Sequence, residues 1–212
     1  MLRAIALLFS LVFHPLLMLT YILVILLLVN PYLFSISNVP LTVIQIFIYT
    51  FLMPAFAVVM MKLLGLIQTW QLEGRQERIG PYIVTGIFYL WIFRALIQNP
   101  EIPMAYNIFV LGATISLFIA FIINLFHKIS AHAAGMGGLV GMVLITTILF
   151  SYGYFNIGSF EISMIVLLMF SILLSGIVCT SRLILKSHSL QEIYGGFIVG
   201  LSTQFIALQI LT

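Results

Sequence analysis

The chain has 212 residues, of which 63% are hydrophobic and only 6% are charged, whereas a soluble domain carries about 25% charged residues. Several uninterrupted apolar runs exceed the roughly 18 residues of a membrane-spanning helix and lack the alternating pattern of a β-barrel. The net charge of +3 forms no basic stripe, so no nucleic-acid partner is expected. The composition therefore predicts an all-α, polytopic helical membrane protein in which residues 1–212 form a single integral membrane domain.

Seven apolar segments follow one another along the chain. The first is too long for the apolar part of a signal peptide, so we expect it to be retained, and His14-Pro15 inside it predicts a kink. The third is short and contains Arg94, which indicates either a buried polar contact or a shallow interfacial segment that would reduce the number of spans to six. The segments cover residues 4–29, 41–67, 80–98, 104–126, 133–154, 162–180 and 193–211.

Basic residues fall on one predicted side of the membrane. With seven spans, the N-terminus and the loops near 68–79, 127–132 and 181–192 share this side. The opposite loops, near 30–40, 99–103 and 155–161, contain no lysine or arginine. By the positive-inside rule the basic side faces the cytoplasm, and we expect the protein in the inner membrane of a bacterium. The basic residues of this side are Arg3, Lys62, Arg75, Arg78, Lys128, Arg182 and Lys186.

Three polar clusters lie on this basic side, at residues 71–81, 128–138 and 181–196. Each is located where a predicted helix begins or ends, so their side chains are expected to converge in a cavity at the membrane surface. Guanidinium and ammonium groups in such a cavity would hold a phosphate. Ser130 precedes a helix rich in alanine and glycine and is predicted to cap it, which leaves free amides that favour an anion.

Two histidines in these clusters suit a covalent, two-step reaction, one as nucleophile and the other as general acid. They are His132 in the second cluster and His188 in the third. Glu192 follows His188 by four residues, a spacing that puts its carboxylate on the same helical face, where it can hold one tautomer of the imidazole.

These residues resemble the three motifs of the type-2 phosphatidic acid phosphatases, which share a helical fold with bacterial acid phosphatases and vanadium haloperoxidases. Ser181-Arg182, five residues, His188, three residues and Glu192 match the third motif, with glutamate in place of aspartate. Ile129-Ser130-Ala131-His132 keeps the serine and histidine of the second. In the first, Arg78 fits the arginine, but Gln71 and Ile79 replace the lysine and the proline. The resemblance covers residues 71–200, which would form a phosphatase-like core after two N-terminal spans in residues 1–67.

The resemblance implies a membrane lipid phosphatase that acts on a lipid phosphate monoester or diphosphate without metal or cofactor. His188 would be the nucleophile, Glu192 its partner and His132 the acid for the leaving group. Arg78 and Arg182 would bind phosphate oxygens, assisted by Ser130 and the Ala131 amide. Arg75 or Lys128 would replace the missing lysine of the first motif.

Two other interpretations stay open at this point. The altered motif positions are compatible with a family member that has lost catalysis and acts as a lipid-phosphate-binding or scaffold protein. A small transporter is a further alternative, although no paired halves are evident. Gly137/Gly141 and Gly196/Gly200 are spaced for close helix packing rather than for nucleotide binding.

Overall fold

Seven helices long and apolar enough to cross a membrane make up most of the computed structural model, which is 77% helical. It describes residues 1–36, 38–70, 72 and 74–212, so Gln71 of the first motif lies outside the described residues. The prediction of an all-α polytopic membrane protein is confirmed, and the third segment provides a span of its own. The spans are Leu2–Val29, Val39–Leu63, Gln76–Ile97, Met104–Phe126, Ala131–Leu149, Met164–Ile184 and Leu190–Leu211.

The first two spans are interrupted, whereas the other five contain one long helix each. In the first, a 3₁₀ turn at Pro15–Leu17 separates two helices, as the His14-Pro15 pair predicts. In the second, a π-helical turn at Ile48–Leu52 precedes Pro54, which has no backbone N–H to donate. The helices are α1 (Leu2–Val12), α2 (Met18–Val29), α3 (Val39–Phe47), α4 (Met53–Leu63), α5 (Ile79–Ile97), α6 (Met104–Phe126), α7 (Ala131–Leu149), α8 (Met164–Ile184) and α9 (Leu190–Leu211).

A short hairpin connects α7 to α8, where the sequence indicated only a loop. Strands β1 (Tyr154–Ile157) and β2 (Phe160–Ser163) pair antiparallel, with Ile157 opposite Phe160. The two-residue turn begins at Gly158, whose φ of +62° suits a hairpin turn and is unfavourable for other residues. The fifth and sixth predicted segments, 133–154 and 162–180, are therefore wrong at their hairpin ends. The sixth also continues through Arg182 to Ile184.

The core lies between α2, α6 and α7, and the outer surface is apolar. Leu23 of α2 and Tyr106 of α6 are fully buried, and the Tyr106 hydroxyl donates to the Leu19 carbonyl at 3.0 Å. Large apolar side chains remain exposed around the bundle, as expected for a surface that contacts lipid. Arg94 lies exposed in the last turn of α5, so the buried contact predicted for it is wrong.

Glycines bring α7 and α9 into close contact, as predicted. A Cβ atom at Gly200 would lie 1.9 Å from the Ala134 carbonyl oxygen, and one at Gly137 would lie 2.1 Å from that of Phe197. Neither position therefore admits a larger residue without separating the helices. This contact fixes the start of α9, which carries Glu192 of the third motif, against the start of α7, which carries His132 of the second.

Candidate active site

The three predicted polar clusters converge at one end of the helix bundle through direct hydrogen bonds. The Arg78 guanidinium donates to the Ile129 carbonyl at 3.2 Å and so joins the first cluster to the second. The Lys128 ammonium donates to the Ser187 carbonyl at 2.9 Å and joins the second to the third. The predicted meeting of these loops at a cavity is therefore present in the structure.

Local capping fixes His188 in the turn between α8 and α9. Helix α8 ends at Ile184, and Lys186 two residues later has a φ of +55°. The amides of Lys186 and Ser187 donate to the carbonyls of Leu183 and Arg182, respectively, in a Schellman motif. Ser189 then caps α9 by accepting from the Glu192 amide at 3.4 Å. His188 stands directly before this cap, so the two helix ends determine its position.

His188 and Glu192 form a short side-chain pair. Nδ1 of His188 lies 2.6 Å from Oε2 of Glu192, and the His188 side chain is only 3% exposed. Burial lowers the pKa of His188 to about 4, the charges of Arg78 and Arg182 add to this effect, and the hydrogen bond to Glu192 opposes it. At neutral pH the ring is therefore neutral, with its proton on Nδ1 and an electron pair free on Nε2.

Ser130 contributes to the site through its backbone and its cap rather than through an exposed hydroxyl. Its side chain is fully buried and accepts from the Ala133 amide at 3.3 Å, which makes it the predicted N-cap of α7. Its own amide donates to the Glu192 carbonyl at 3.2 Å. The second motif is thus hydrogen-bonded to the residue that orients His188.

The first span supplies Ser10 to this region, a contribution that the sequence did not indicate. The Ser10 carbonyl lies 3.0 Å from Nε2 of His132, and its hydroxyl accepts from Arg182 at 3.1 Å. A carbonyl can only accept, so Nε2 of His132 carries a proton. Ser10 therefore holds both the predicted general acid and a predicted phosphate ligand in place.

His14, also from the first span, lies beside His132, with ring centroids 5.4 Å apart. It also accepts from the Leu16 amide at 3.3 Å, so one side chain both caps the 3₁₀ turn and contacts the predicted acid. A histidine inside an apolar segment is itself a signal of function. Ser10 offers no such signal, because its partners lie more than 120 residues away in the chain.

A cavity of about 1080 Å³ opens from this region into the bundle. Its described lining has no acidic residue at this end, where four cations face it together with His14, Ala131, His132 and His188. One buried atom of the Arg182 guanidinium, Nε, has no hydrogen-bond partner among the described residues. The cations are Arg78, Lys128, Arg182 and Lys186.

The predicted residues occupy three different positions relative to the cavity. Glu192 and Ser130 lie behind its wall, where they position other groups. Arg75 is outside it: the side chain is exposed and donates to the Phe126 carbonyl, so the structure does not bring it to the other cations. Lys128 does line the cavity.

The chemistry available at this end of the cavity is that of an anion-binding site with four cations and three histidines. Among the described residues, no group of three or more histidine, cysteine, aspartate or glutamate side chains could hold a metal ion. Comparisons of the chain with models of known protein families, with curated proteins and with solved structures found no match.

Proposed function

We propose that the protein is a membrane lipid phosphatase that hydrolyses a lipid phosphate monoester or diphosphate through a phosphohistidine intermediate, as its resemblance to the type-2 phosphatidic acid phosphatases implies. The observation that carries this proposal is the His188–Glu192 pair at the cationic end of an intramembrane cavity. A buried, neutral histidine whose Nδ1 proton is fixed by a carboxylate has the arrangement required of a nitrogen nucleophile.

The cations of the cavity bind the phosphate. Arg182 offers a buried Nε that is without a partner in the described part of the chain. Arg78 reaches the same cavity, and Lys128 adds an ammonium group. Guanidinium groups match phosphate oxygens in geometry, and fixed cations in a site sheltered from water stabilise the charge of the transition state. The start of α7, capped by Ser130, adds backbone amides, including that of Ala131, at the positive end of a helix dipole.

In the first chemical step, Nε2 of His188 attacks phosphorus and the bond between phosphorus and the lipid oxygen breaks. The departing oxygen takes a proton from His132, which leaves the phosphohistidine and the free lipid alcohol, or a lipid phosphate if the substrate is a diphosphate. Since Nε2 of His132 donates to the Ser10 carbonyl, the transferred proton must come from Nδ1. This step therefore requires a ring protonated on both nitrogens, a state that the negative charge of the bound phosphate favours.

In the second step, water attacks the phosphorus of the phosphohistidine. His132, now neutral at Nδ1, removes a proton from this water, the bond between phosphorus and His188 breaks, and inorganic phosphate leaves. Glu192 keeps the Nδ1 proton of His188 in place through both steps, so the ring returns to its starting tautomer.

The apolar part of the cavity supports a substrate that carries a lipid chain. Its wall follows α5 from Arg78 to Tyr89, about 16 Å at 1.5 Å per residue. This depth is close to half of the roughly 30 Å hydrocarbon thickness of a bilayer, so a chain that spans one leaflet fits. We place the site on the cytoplasmic face of a bacterial inner membrane, because the basic residues surround this end of the bundle.

The proposal is tested by phosphate release from a panel of lipid phosphates in nanodiscs. We expect release from at least one member of the panel by the wild-type protein and by the His127→Ala variant, whose altered side chain is exposed and outside the cavity. The His188→Ala variant should be inactive. Release that is unchanged in His188→Ala would refute His188 as the nucleophile. Binding of lipid phosphates without release by any variant would instead indicate the non-catalytic lipid-phosphate-binding protein.

A further inference from the structure

The far end of the cavity contains an unusual buried amide. Gln204 lies on α9 twelve residues after Glu192, about 18 Å deeper in the bundle at 1.5 Å per residue. Its side chain is fully buried and faces the cavity. Neither its amide nitrogen nor its amide oxygen has a hydrogen-bond partner among the described residues. Buried polar groups of this kind are rare, because leaving them unpaired is unfavourable.

Glycines of the neighbouring helices make room for this side chain. A Cβ atom at Gly112 of α6 would lie 2.5 Å from Oε1 of Gln204, and one at Gly138 of α7 would lie 3.3 Å from its Nε2. A Cβ atom at Gly141 would lie 3.0 Å from Gln204 Cγ. The amide is therefore held in a defined slot at the cavity wall, where an apolar side chain of similar size would also fit without an unpaired polar group.

The position of the unpaired groups points to a ligand rather than to a packing defect. Among the described residues that have unpaired buried side-chain atoms, only Arg182 and Gln204 line the cavity, and they lie at its opposite ends. Further hydroxyl groups, from Thr85, Tyr89 and Ser116, face the cavity between these ends. The wall is thus polar at a depth where a simple hydrocarbon chain would need only apolar contacts.

We propose that Gln204 is a second recognition point, and that the ligand is an amphiphile with a phosphate at one end and a hydroxyl group on its chain about one leaflet away. The phosphate end rests on the function proposed above. A hydroxyl group both donates and accepts, so it can pair with the amide nitrogen or oxygen and with the neighbouring hydroxyls. A charged group is disfavoured, because no charged side chain of the described lining lies at this depth to compensate it.

Two phosphonates that the protein cannot hydrolyse at their C–P bond test this inference: dodecylphosphonate and ω-hydroxydodecylphosphonate. Their affinities for the full chain in nanodiscs are measured by calorimetry. We expect the hydroxylated probe to bind at least tenfold more tightly to the wild type and to lose this preference in the Gln204→Leu variant. Gln209→Leu is the matched control, since Gln209 lies exposed on the same helix and the variant should retain the preference.

Thermal unfolding distinguishes recognition from a structural role. Without ligand, Gln204→Leu removes an unpaired amide, so we expect its unfolding midpoint to be equal to or higher than that of the wild type. A lower midpoint together with equal affinity for the two probes would overturn the inference, as would a preference that persists in Gln204→Leu.

A second pair of probes separates this inference from the proposed function. Dodecanol and dodecanediol lack the phosphate group. If neither phosphonate binds better than its alcohol counterpart, the phosphate site fails. A preference for the diol that depends on Gln204 would still support the deep subsite. If the phosphonates bind better than the alcohols but the chain hydroxyl adds nothing, the deep subsite fails and the proposed function stands.

Discussion

Oε2 of Glu192 lies 2.6 Å from Nδ1 of His188, so a glutamate reaches the histidine at the position where the resembling family has aspartate. Glu192 is the third residue of α9, and Ser189 and Glu192 have the spacing of a capping box. The carboxylate pairs with the imidazole that precedes the cap. The longer side chain therefore reaches the imidazole from the first turn of α9.

This geometry predicts that aspartate will not improve the site. In a Glu192→Asp variant the carboxylate is one methylene shorter and withdraws from Nδ1, so we expect kcat to fall at least tenfold. Glu192→Gln keeps the length but loses the negative charge, and its kcat should fall about 100-fold. Both are measured as phosphate release at saturating substrate. A Glu192→Asp variant faster than the wild type would contradict the assignment of Glu192 as the partner of His188.

The low pKa of His188 predicts that its ring stays neutral down to about pH 4. A free histidine titrates near 6.5. Between about pH 4 and pH 6.5 the His188 ring therefore stays neutral and nucleophilic, whereas an unburied histidine would be protonated. The titration is followed by NMR of ¹⁵N-histidine-labelled protein, with the signal identified by its loss in His188→Gln. Glu192→Gln should lower the midpoint further, because the hydrogen bond to Glu192 raises the pKa. A wild-type midpoint at 6.5 or above would contradict the burial of the ring.

Features with a local sequence signal were predictable, and contacts between distant segments were not. Apolar runs predicted the seven spans, and Ser130 before an alanine- and glycine-rich run predicted the cap of α7. The hairpin has a signal in Gly158-Ser159, which is typical of a two-residue turn, but the flanking strands are so short that their sequence predicts only a loop.

The contributions of the first and last spans depend on long-range packing. Ser10 lies 172 residues before Arg182, and no local periodicity relates the two. Gln204 lies deep in the bundle on α9, and the room for its side chain depends on the glycines of α6 and α7 beside it. Arg75, in contrast, has a local sequence signal but lies outside the site. Its charge and location in the first cluster suggested phosphate binding, but its side chain donates outside the cavity.

The contact between Ser10 and Arg182 predicts that the first span contributes to catalysis. A Ser10→Ala variant removes the hydroxyl that accepts from Arg182 and keeps the backbone carbonyl that holds His132. A hydrogen bond to a charged group is worth about 1.5–3 kcal/mol, so we expect kcat/KM to fall roughly tenfold or more. Ser202→Ala is the control, because Ser202 is exposed on α9. Equal losses in both variants would argue against a positioning role for Ser10.

The close packing of α9 predicts different effects for two adjacent glycines. A Cβ atom at Gly196 would lie 2.5 Å from the Ser130 carbonyl, whereas one at Gly195 would meet no atom of another described segment within 4 Å. Gly196→Ala should push the start of α9 away from α7, lower stability by about 1–3 kcal/mol and reduce activity. Gly195→Ala should be neutral or stabilise the helix by up to about 1 kcal/mol. Thermal unfolding in one detergent compares them, and similar midpoints would contradict the packing of α7 on α9.

The charge distribution predicts which end of the bundle faces the cytoplasm. His127 is exposed in the loop between α6 and α7 at the basic end, and Tyr152 is 92% exposed near the hairpin at the other end. Single-cysteine variants His127→Cys and Tyr152→Cys are made after the native Cys179 has been replaced by alanine. An impermeant maleimide should label the Tyr152→Cys variant in intact spheroplasts and the His127→Cys variant only after permeabilisation. The reverse pattern would place the cationic end of the cavity outside the cytoplasm. The basic residues there would then serve phosphate binding without determining orientation.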